Sequence, residues 1–219
     1  MTRSPKTLDL WRHHLGVVPD TVLQDVDLEN LILAENDLVS LPASLGRLTR
    51  LRMLDLGHNQ LTELPETLGE LLQLDSFLYL HDNRLTAVPS SFARLVRVRY
   101  LNLSQNALTQ WPDAVSGMSG LRELRLADNG LTEIPESLGR LSHLRELHLQ
   151  NNRIEALPGA IGELRDLRHL DLRRNPLTDL PETLVSLPLL QKLDLRWIPT
   201  LPELPWFETL TARGCLVYR

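Results

Sequence analysis

The sequence predicts a solenoid, a fold in which short coils of chain stack along one axis. Asparagines recur every 23 residues, with one interval of 24, at Asn36, Asn59, Asn83, Asn106, Asn129, Asn152 and Asn175. Prolines keep the same intervals at Pro42, Pro65, Pro89, Pro112, Pro135, Pro158 and Pro181. Leucine accounts for 53 of the 219 residues and supplies most of the apolar side chains that a core needs. A period of roughly 20 to 50 residues, kept by two residue types, indicates a repeat architecture and not a globule.

Each coil follows the pattern L-x-x-L-x-L-x-x-N-x-L-x-x-L-P-x-x-L-x-x-L-x-x, as residues 121–143 illustrate. The opening L-x-x-L-x-L alternates like a strand with one buried face, and the later leucines recur every three or four residues like a tight helical turn. The asparagine amide can both donate to and accept from backbone groups of adjacent coils, and each proline suits the start of a turn. The extra residue of the 24-residue coil falls between Leu74 and Leu78, which predicts a bulge.

The two ends of the chain keep the frame in a degenerate form. Leu8, Leu10 and Pro19 stand 23 residues before their counterparts, so we interpret residues 1–27, with Trp11, as a degenerate N-terminal coil or cap. Residues 28–189 hold the seven clear repeats. Residues 190–219 hold a degenerate repeat, in which Ile198 replaces the asparagine, and a C-terminal cap that ends in a short strand. We therefore expect one domain over residues 1–219, because solenoids need both ends covered.

From about Leu28 to Leu195 the chain resembles the leucine-rich repeat family, specifically its 23-residue class with Leu-Pro after the asparagine. It is similar to intracellular repeat proteins of bacteria, of plants and of animal scaffolds that engage Ras-type GTPases. The resemblance implies an α/β fold, a right-handed horseshoe-shaped solenoid. About eight to nine short parallel strands would line its concave face, with extended or short helical turns on the convex face.

Composition limits the compartment and the classes of partner that we expect for this chain. No apolar run reaches the roughly eighteen residues that a membrane helix needs, and the first residues lack a hydrophobic stretch of signal-peptide length, so we expect a soluble protein. The single cysteine, Cys215, excludes an internal disulfide framework and suits the cytoplasm. A formal net charge of -5 argues against nucleic acid or an anionic membrane as the partner. Only Lys6 and Lys192 among 23 basic residues are lysines, which points to a GC-rich bacterial genome.

The concave face is where we expect function, at the third, fifth, seventh and eighth positions of each coil. In the first half these positions hold apolar and aromatic side chains flanked by two histidines: Ile32, Met53, Phe77, Tyr79, Tyr100, His58 and His81. Neighbouring parallel strands lie about 4.8 Å apart, so the three rings should form one patch of the kind seen at interaction hot spots. The alternative is that Phe77 turns inward beside the bulge and leaves Tyr79 and Tyr100 as ordinary surface.

In the second half the same positions are mostly charged: Glu123, Arg125, Glu146, His148, Asp171, Arg173, Arg174, Asp194 and Arg196. One interpretation is that opposite charges simply pair across neighbouring strands. The other is that Arg173, Arg174 and Arg196, with Trp197, form a basic and aromatic site for an acidic segment of a partner, with Arg125 helping to orient it.

We predict a non-catalytic protein-interaction module or scaffold, monomeric and without cofactor or metal, that binds a partner protein on its concave face. One alternative, which rests on family analogy alone, is a regulator or effector of a small GTPase or host signalling protein. The other is an enzyme with a site among His148, His169 and Asp171. We disfavour the enzyme, because an open sheet gives little desolvation to tune a pKa or enclose a substrate.

Overall fold

The computed structural model describes residues 4–219, so residues 1–3 of the predicted N-terminal cap lie outside it. Parallel strands of three residues each form one curved, open sheet, in the order of the sequence. They are β1 Thr7–Asp9, β2 Asn30–Ile32, β3 Met53–Asp55, β4 Phe77–Tyr79, β5 Tyr100–Asn102, β6 Glu123–Arg125, β7 Glu146–His148, β8 His169–Asp171, β9 Lys192–Asp194 and β10 Leu216–Tyr218. The predicted solenoid is confirmed; its ten described strands exceed the predicted eight to nine because the degenerate coils at both ends also form strands, β1 and β10.

The middle residue of each strand in the seven repeats is a leucine that points into the core. Leu54 of β3 is fully buried, whereas Met53 and Asp55 on either side are half-buried on the open face. Neighbouring coils are in register, with Leu31 beside Leu54 and Leu124 beside Leu147. The core is therefore a continuous spine of leucines, and each residue column of the sequence becomes a row across the sheet.

On the convex side the chain forms one short 3-10 helix per repeat. These helices span Ala43–Arg47, Glu66–Glu70, Ser90–Arg94, Asp113–Gly117, Glu136–Arg140, Gly159–Glu163 and Glu182–Ser186. A proline of the periodic column precedes every one, with φ between -58° and -79°, close to the value that the pyrrolidine ring imposes. The predicted convex turns are confirmed. Two α-helices, α1 Asp20–Gln24 and α2 Phe207–Ala212, belong to the terminal coils.

The asparagines bind the coils to each other as predicted. The side-chain amide of Asn59 donates to the carbonyl oxygens of Leu33, Leu56 and Gly57, each at 3.0 Å. Its Oδ1 accepts from the backbone N–H groups of Asn36 and Leu38, at 3.1 and 3.0 Å. The Asn59 side chain thus provides hydrogen-bond partners for backbone N–H and C=O groups that are buried at the strand exit and have no access to water.

The predicted bulge lies between Leu74 and Leu78. The backbone N–H groups of Asp75 and Ser76 both donate to the carbonyl oxygen of Arg52, at 3.3 and 3.2 Å, an arrangement that neighbouring coils share, so the bulge shows in the strand register. In-register pairing of β4 with β3 begins only at Leu78, opposite Leu54. The extra residue is therefore absorbed before Leu78.

The backbone enters the left-handed region at the eighth position of each coil, a feature that the sequence did not reveal. The values of φ lie between 51° and 61° at Glu35, His58, Asp82, Gln105, Asp128, Asn151, Arg174 and Trp197. This conformation costs an ordinary residue about 1 kcal/mol or more. Hydrogen bonds to the next coil hold it in place; for example, the His58 N–H donates to the His81 carbonyl at 2.9 Å.

Both terminal coils cover the spine. β1 pairs with β2, and β10 pairs with β9. Phe207 and Leu210 of α2 pack into the core beside Cys215, whose thiol is free and buried. None of the helices within residues 4–219 has the length and apolar character that a membrane crossing requires.

Candidate functional site

Three aromatic rings lie together on the open face of β4 and β5, and we call Phe77, Tyr79 and Tyr100 the aromatic patch. Phe77 and Tyr79 are stacked, with centroids 5.7 Å apart and planes 9° apart. Tyr100 lies 5.4 Å from Phe77 and 5.1 Å from Tyr79. The predicted convergence of these rings is thus what the structure has.

Phe77 does not turn inward. It is 46% exposed, because the bulge before it leaves Leu78 to fill the core position. The same bulge opens a shallow cavity of about 320 Å³ between Phe77 and Met53, lined also by Pro5 and Asn30. The alternative in which Phe77 is a core residue is therefore wrong, and the patch has a free edge on the side of β3.

The other apolar members continue the row toward the N-terminus. Ile32 and Met53 are half-buried at the fifth and third positions of their coils. Burial raises the pKa of both the Tyr79 and the Tyr100 hydroxyl, so each stays protonated and can donate a hydrogen bond. The Arg125 guanidinium lies 5.8 Å from the centroid of the Tyr100 ring. The patch is an apolar surface with a polar rim.

Two histidines close the patch at the strand exits. The ring of His81 lies 6.0 Å from Tyr79 and 4.6 Å from His58, whose Nδ1 is 2.6 Å from Asp82 Oδ2. Gly57 makes room for the His81 ring, because a Cβ there would come within 2.5 Å of the imidazole. Burial, together with the nearby His58, lowers the pKa of His81, which therefore stays neutral at pH 7.

The expectation of exposed seventh positions is partly wrong. Ala34, Gly57 and Ala127 are buried, and the remaining members of that column are half-buried. The third and fifth positions are mostly half-buried too, with Asp171 and Asp194 buried, whereas the eighth positions are mostly exposed.

A second cluster lies near the C-terminal end of the sheet, and we call Arg173, Arg174, Arg196 and Trp197 the arginine–tryptophan cluster. The Trp197 side chain is 57% exposed. The three guanidinium carbons lie 5.8, 4.8 and 5.3 Å from a Trp197 ring centroid, in the order given above. The four predicted residues are thus brought together, with three guanidinium cations around the Trp197 ring.

Two buried carboxylates lie beneath this cluster. Arg173 donates to both oxygens of Asp171, at 2.6 to 3.0 Å, and Arg196 does the same to Asp194, at 2.8 and 2.9 Å. Burial alone would raise the pKa of the fully buried Asp194, but the hydrogen bonds and charge of Arg196 outweigh it and lower that pKa. Arg173 and Arg196 are thereby fixed in position, whereas Arg174 has no acidic partner within 4 Å in the described chain.

Charges in this half pair mainly along strands, and the expectation of pairing across strands is largely wrong. The close pairs join residues two apart, such as Arg125 with Glu123 at 2.6 Å. Across the sheet, register places Glu123 next to Glu146 and Asp171 next to Asp194, although it also places Glu146 next to His169. Cross-strand contacts such as Arg173 Nε to Asp194 Oδ2 and His169 Nδ1 to Glu146 Oε1 are longer, at 3.7 Å.

The predicted enzyme alternative does not form a free triad. Asp171 is engaged by Arg173, and Glu146 lies instead between His148 and His169, at 3.3 and 3.7 Å. Ligand atoms of Glu123, Glu146 and His148 do lie within 4.8 Å of one another, a grouping that sequence reasoning missed. The signal was present in the third and fifth columns of adjacent coils. Arg125 already binds Glu123, however, and the group lies on an open face.

Comparison with protein families identifies the class of protein. The family model described as leucine rich repeat matches residues 5–61, 76–131 and 142–197. A second family model, described as two copies of the repeat, matches residues 119–162. These segments cover most of the chain, which therefore belongs to the leucine-rich repeat family. The comparison with curated proteins gives no match.

Solved structures share this fold. The LRR protein LIC12759 of Leptospira interrogans is 25% identical over 98% of this chain, with a TM-score of 0.71. The LRR ectodomain of the receptor kinase GASSHO1/SCHENGEN3 from Arabidopsis thaliana, in complex with CASPARIAN STRIP INTEGRITY FACTOR 2, is 29% identical over 97%, with a TM-score of 0.82. The plant peptide hormone receptor RGFR1, in complex with RGF2, is 26% identical over 82%, with a TM-score of 0.66. The chain spans 66%, 26% and 34% of these proteins, less than two thirds of each.

Proposed function

We propose that this protein binds a partner protein on its concave face, with the aromatic patch as the anchor, and that it carries out no chemistry itself. The observation that carries the proposal is the packing of Phe77, Tyr79 and Tyr100 into one exposed surface. Tyrosine is among the residues that contribute most to binding energy when a partner excludes water from them.

Two features support a binding role in addition to the patch. Leucine-rich repeats generally serve as protein-binding modules, and both plant receptors named above were solved with a bound factor. The frame is also rigid, because two features fix each strand: the leucine spine and the column of periodic asparagines that hydrogen-bond to neighbouring coils, which we call the asparagine ladder. A rigid surface lowers the conformational entropy that binding costs.

We propose that the arginine–tryptophan cluster orients the same partner through an acidic segment. Arg174 has no competing acid within 4 Å among residues 4–219, and Trp197 presents an exposed face beside it. The cluster lies several strands from the aromatic patch, so a partner that reaches both is held at two points. Arg125, beside Tyr100, lies between them.

A non-catalytic role is favoured by how the titratable groups are used. Asp171 and Asp194 are buried counter-ions of arginines, and Glu123 is bound by Arg125. We also propose that the protein acts as a monomer in the cytoplasm, the compartment that its single, buried cysteine suits. Fractionation of the native host and sedimentation of the purified protein test these two points.

The main experiment compares two double variants in affinity capture from the native host, followed by titration with the purified partner. Tyr79→Ala with Tyr100→Ala should weaken binding on the order of 100-fold or more, because two hot-spot rings are lost. The control, Leu72→Ala with Leu189→Ala, removes apolar surface that is exposed in turns outside the sheet and should bind like wild type.

Thermal unfolding separates binding from folding. Both double variants should melt within about 2 °C of wild type, because partly exposed side chains contribute little to stability. A large fall in melting temperature for the tyrosine variant would make the rings structural. Equal loss of binding by the control would move the binding surface away from the concave face.

A further inference from the structure

A cavity interrupts the edge of the solenoid where the chain enters its strands. In the repeats, the residue before the first leucine of a coil carries a side chain, as with Arg97 and His143, but one coil has Gly120 there. A Cβ at Gly120 would lie 2.2 Å from the carbonyl oxygen of Val96, so the close approach of two coils requires glycine. Gly120 and Val96 line a gap at the surface between Arg97 and His143.

The gap is a cavity of about 310 Å³ whose walls are basic. It is lined by Asp75, Val96, Arg97, Arg99, Gly120, Arg122, His143, Arg145 and Asp166. Arg99, Arg122 and Arg145 occupy the second position of three successive coils, which brings their guanidinium groups to the same wall. Both the aromatic patch and the arginine–tryptophan cluster lie elsewhere, on the concave face.

The three arginines of this row are available to a ligand. Within residues 4–219 none of them has a carboxylate within 4 Å or a side-chain hydrogen bond. The two acids of the lining are already engaged. Asp75 accepts from Arg52 at 2.8 Å and lies 3.5 Å from Arg97, and Asp166 lies 3.4 Å from His143.

We propose that this cavity binds a phosphomonoester dianion carried by a phosphorylated side chain of the protein partner. Four arginines and two aspartates give the lining a formal charge of +2 when His143 is neutral, which matches such a group. A phosphorylated side chain carries a charge of about -1.5 to -2 at pH 7 and offers three acceptor oxygens. The planar guanidinium fork suits these oxygens better than a lysine would.

The alternative anion, a nucleic acid, fits less well. Each phosphodiester carries only one charge, and affinity for nucleic acid comes from many phosphate contacts along an extended basic surface. Here the basic wall spans three strands, about 10 Å at the usual spacing, in a chain with a net charge of -5. The inference rests on the proposed function only in naming a protein as the carrier of the phosphate.

The test titrates the full chain with phenyl phosphate as the probe. Binding is measured from the arginine Nε–Hε signals in NMR spectra. We expect saturable shifts of the signals of Arg99, Arg122 and Arg145, and binding at least about tenfold weaker in Arg122→Gln. Arg168→Gln is the matched control. Arg168 continues the same column, is exposed and does not line the cavity, so its loss should leave the affinity unchanged.

Further probes decide which anion the cavity prefers and which kind of molecule carries the phosphate. Phenyl sulfate, similar in shape with one charge fewer, should bind several-fold more weakly, and a short serine peptide should bind only when phosphorylated. The inference is overturned if phenyl phosphate gives no saturable shift, if Arg168→Gln weakens it as much as Arg122→Gln, or if a short oligothymidylate binds more tightly than the phosphopeptide. Tyr79→Ala with Tyr100→Ala should bind phenyl phosphate normally, so failure of this site and failure of the concave-face proposal are distinguishable.

Discussion

The two halves of the concave face use the same coil for different surfaces. Around β4 and β5, three of the four side chains at the third and fifth positions are aromatic and pack on each other, and the fourth is Asn102. Around β8 and β9 those positions carry histidine, lysine and two aspartates, and the aspartates hold arginines of the seventh position. The comparison shows that the frame determines where side chains point, whereas pairs of columns within a coil determine whether the surface is apolar or charged.

The largest expected effect is a loss of stability when a periodic asparagine is removed. It tests whether both halves of the concave face depend on the same asparagine ladder. Asn83 and Asn175 each donate to three carbonyl oxygens and accept from one N–H, at 2.9 to 3.4 Å. We expect Asn83→Ala and Asn175→Ala each to lower the free energy of unfolding by about 2 to 3 kcal/mol, because buried backbone groups lose their partners. Urea unfolding measures this. Thr86→Ala, three residues beyond Asn83 at an exposed position without a side-chain hydrogen bond among residues 4–219, should change it by less than about 0.5 kcal/mol.

A markedly smaller cost at one of the two ladder positions would show that its half is held by surface contacts instead. The expectation of equal costs follows from equal geometry, since both asparagines are almost fully buried.

A second pair of variants separates the halves directly. Asp55 and Asp194 both occupy the fifth position, but Asp194 is bound by Arg196 two residues on, whereas Asp55 has Gly57 there. Burial raises the pKa of Asp55. Burial also acts to raise the pKa of Asp194, but the hydrogen bonds and charge of Arg196 lower it. We expect Asp194→Asn to cost about 1 to 2 kcal/mol at pH 7 and Asp55→Asn to stabilise by about 0.5 kcal/mol.

The pH dependence carries the same contrast. Stability from Asp194 is present above its unfolded pKa and is lost as pH falls through its lower folded pKa. Asp55 disfavours the folded state while charged and ceases to do so on protonation. Unfolding curves for both variants across pH 3 to 7 check this, and parallel pH profiles would contradict it.

The smallest expected effect concerns one histidine in each half. Burial lowers the pKa of His81 and of His148, with His58 adding to the first shift and Arg125 to the second. The unfolded chain therefore binds protons more readily, and stability should fall as pH drops below about 6.5. His81→Gln and His148→Gln should each flatten part of the change in melting temperature between pH 7.5 and 5.5. His14→Gln, an exposed control, should not.

Repetition made the frame predictable. The asparagine and proline columns predicted the strand exits and convex turns, and the coil of 24 residues predicted the bulge between Leu74 and Leu78. Pairing partners were harder to predict, because the choice between Arg173–Asp171 and a cross-strand pair depends on side-chain reach and not on spacing. The left-handed eighth position left no sign either, since residues as different as Trp197 and Asp128 adopt it.

The cavity beside Gly120 shows which kind of site remains hidden in such a sequence. The column holds arginine, glycine and histidine in succession, and only the structure shows that a cavity lies beside the glycine and that three arginines line it. A glycine that interrupts a regular column is a feature that can be sought in other repeat chains.

The asparagine ladder has a consequence for how this protein can diversify. Since the asparagines, the leucine spine and the strand hydrogen bonds join neighbouring coils from the inside, most outward columns are free to change without altering the interior. Exchanging one turn of the coil for another would then replace a narrow strip of recognition surface and leave the adjoining strips as they were. Evolution, or a protein engineer, can thus revise specificity strip by strip.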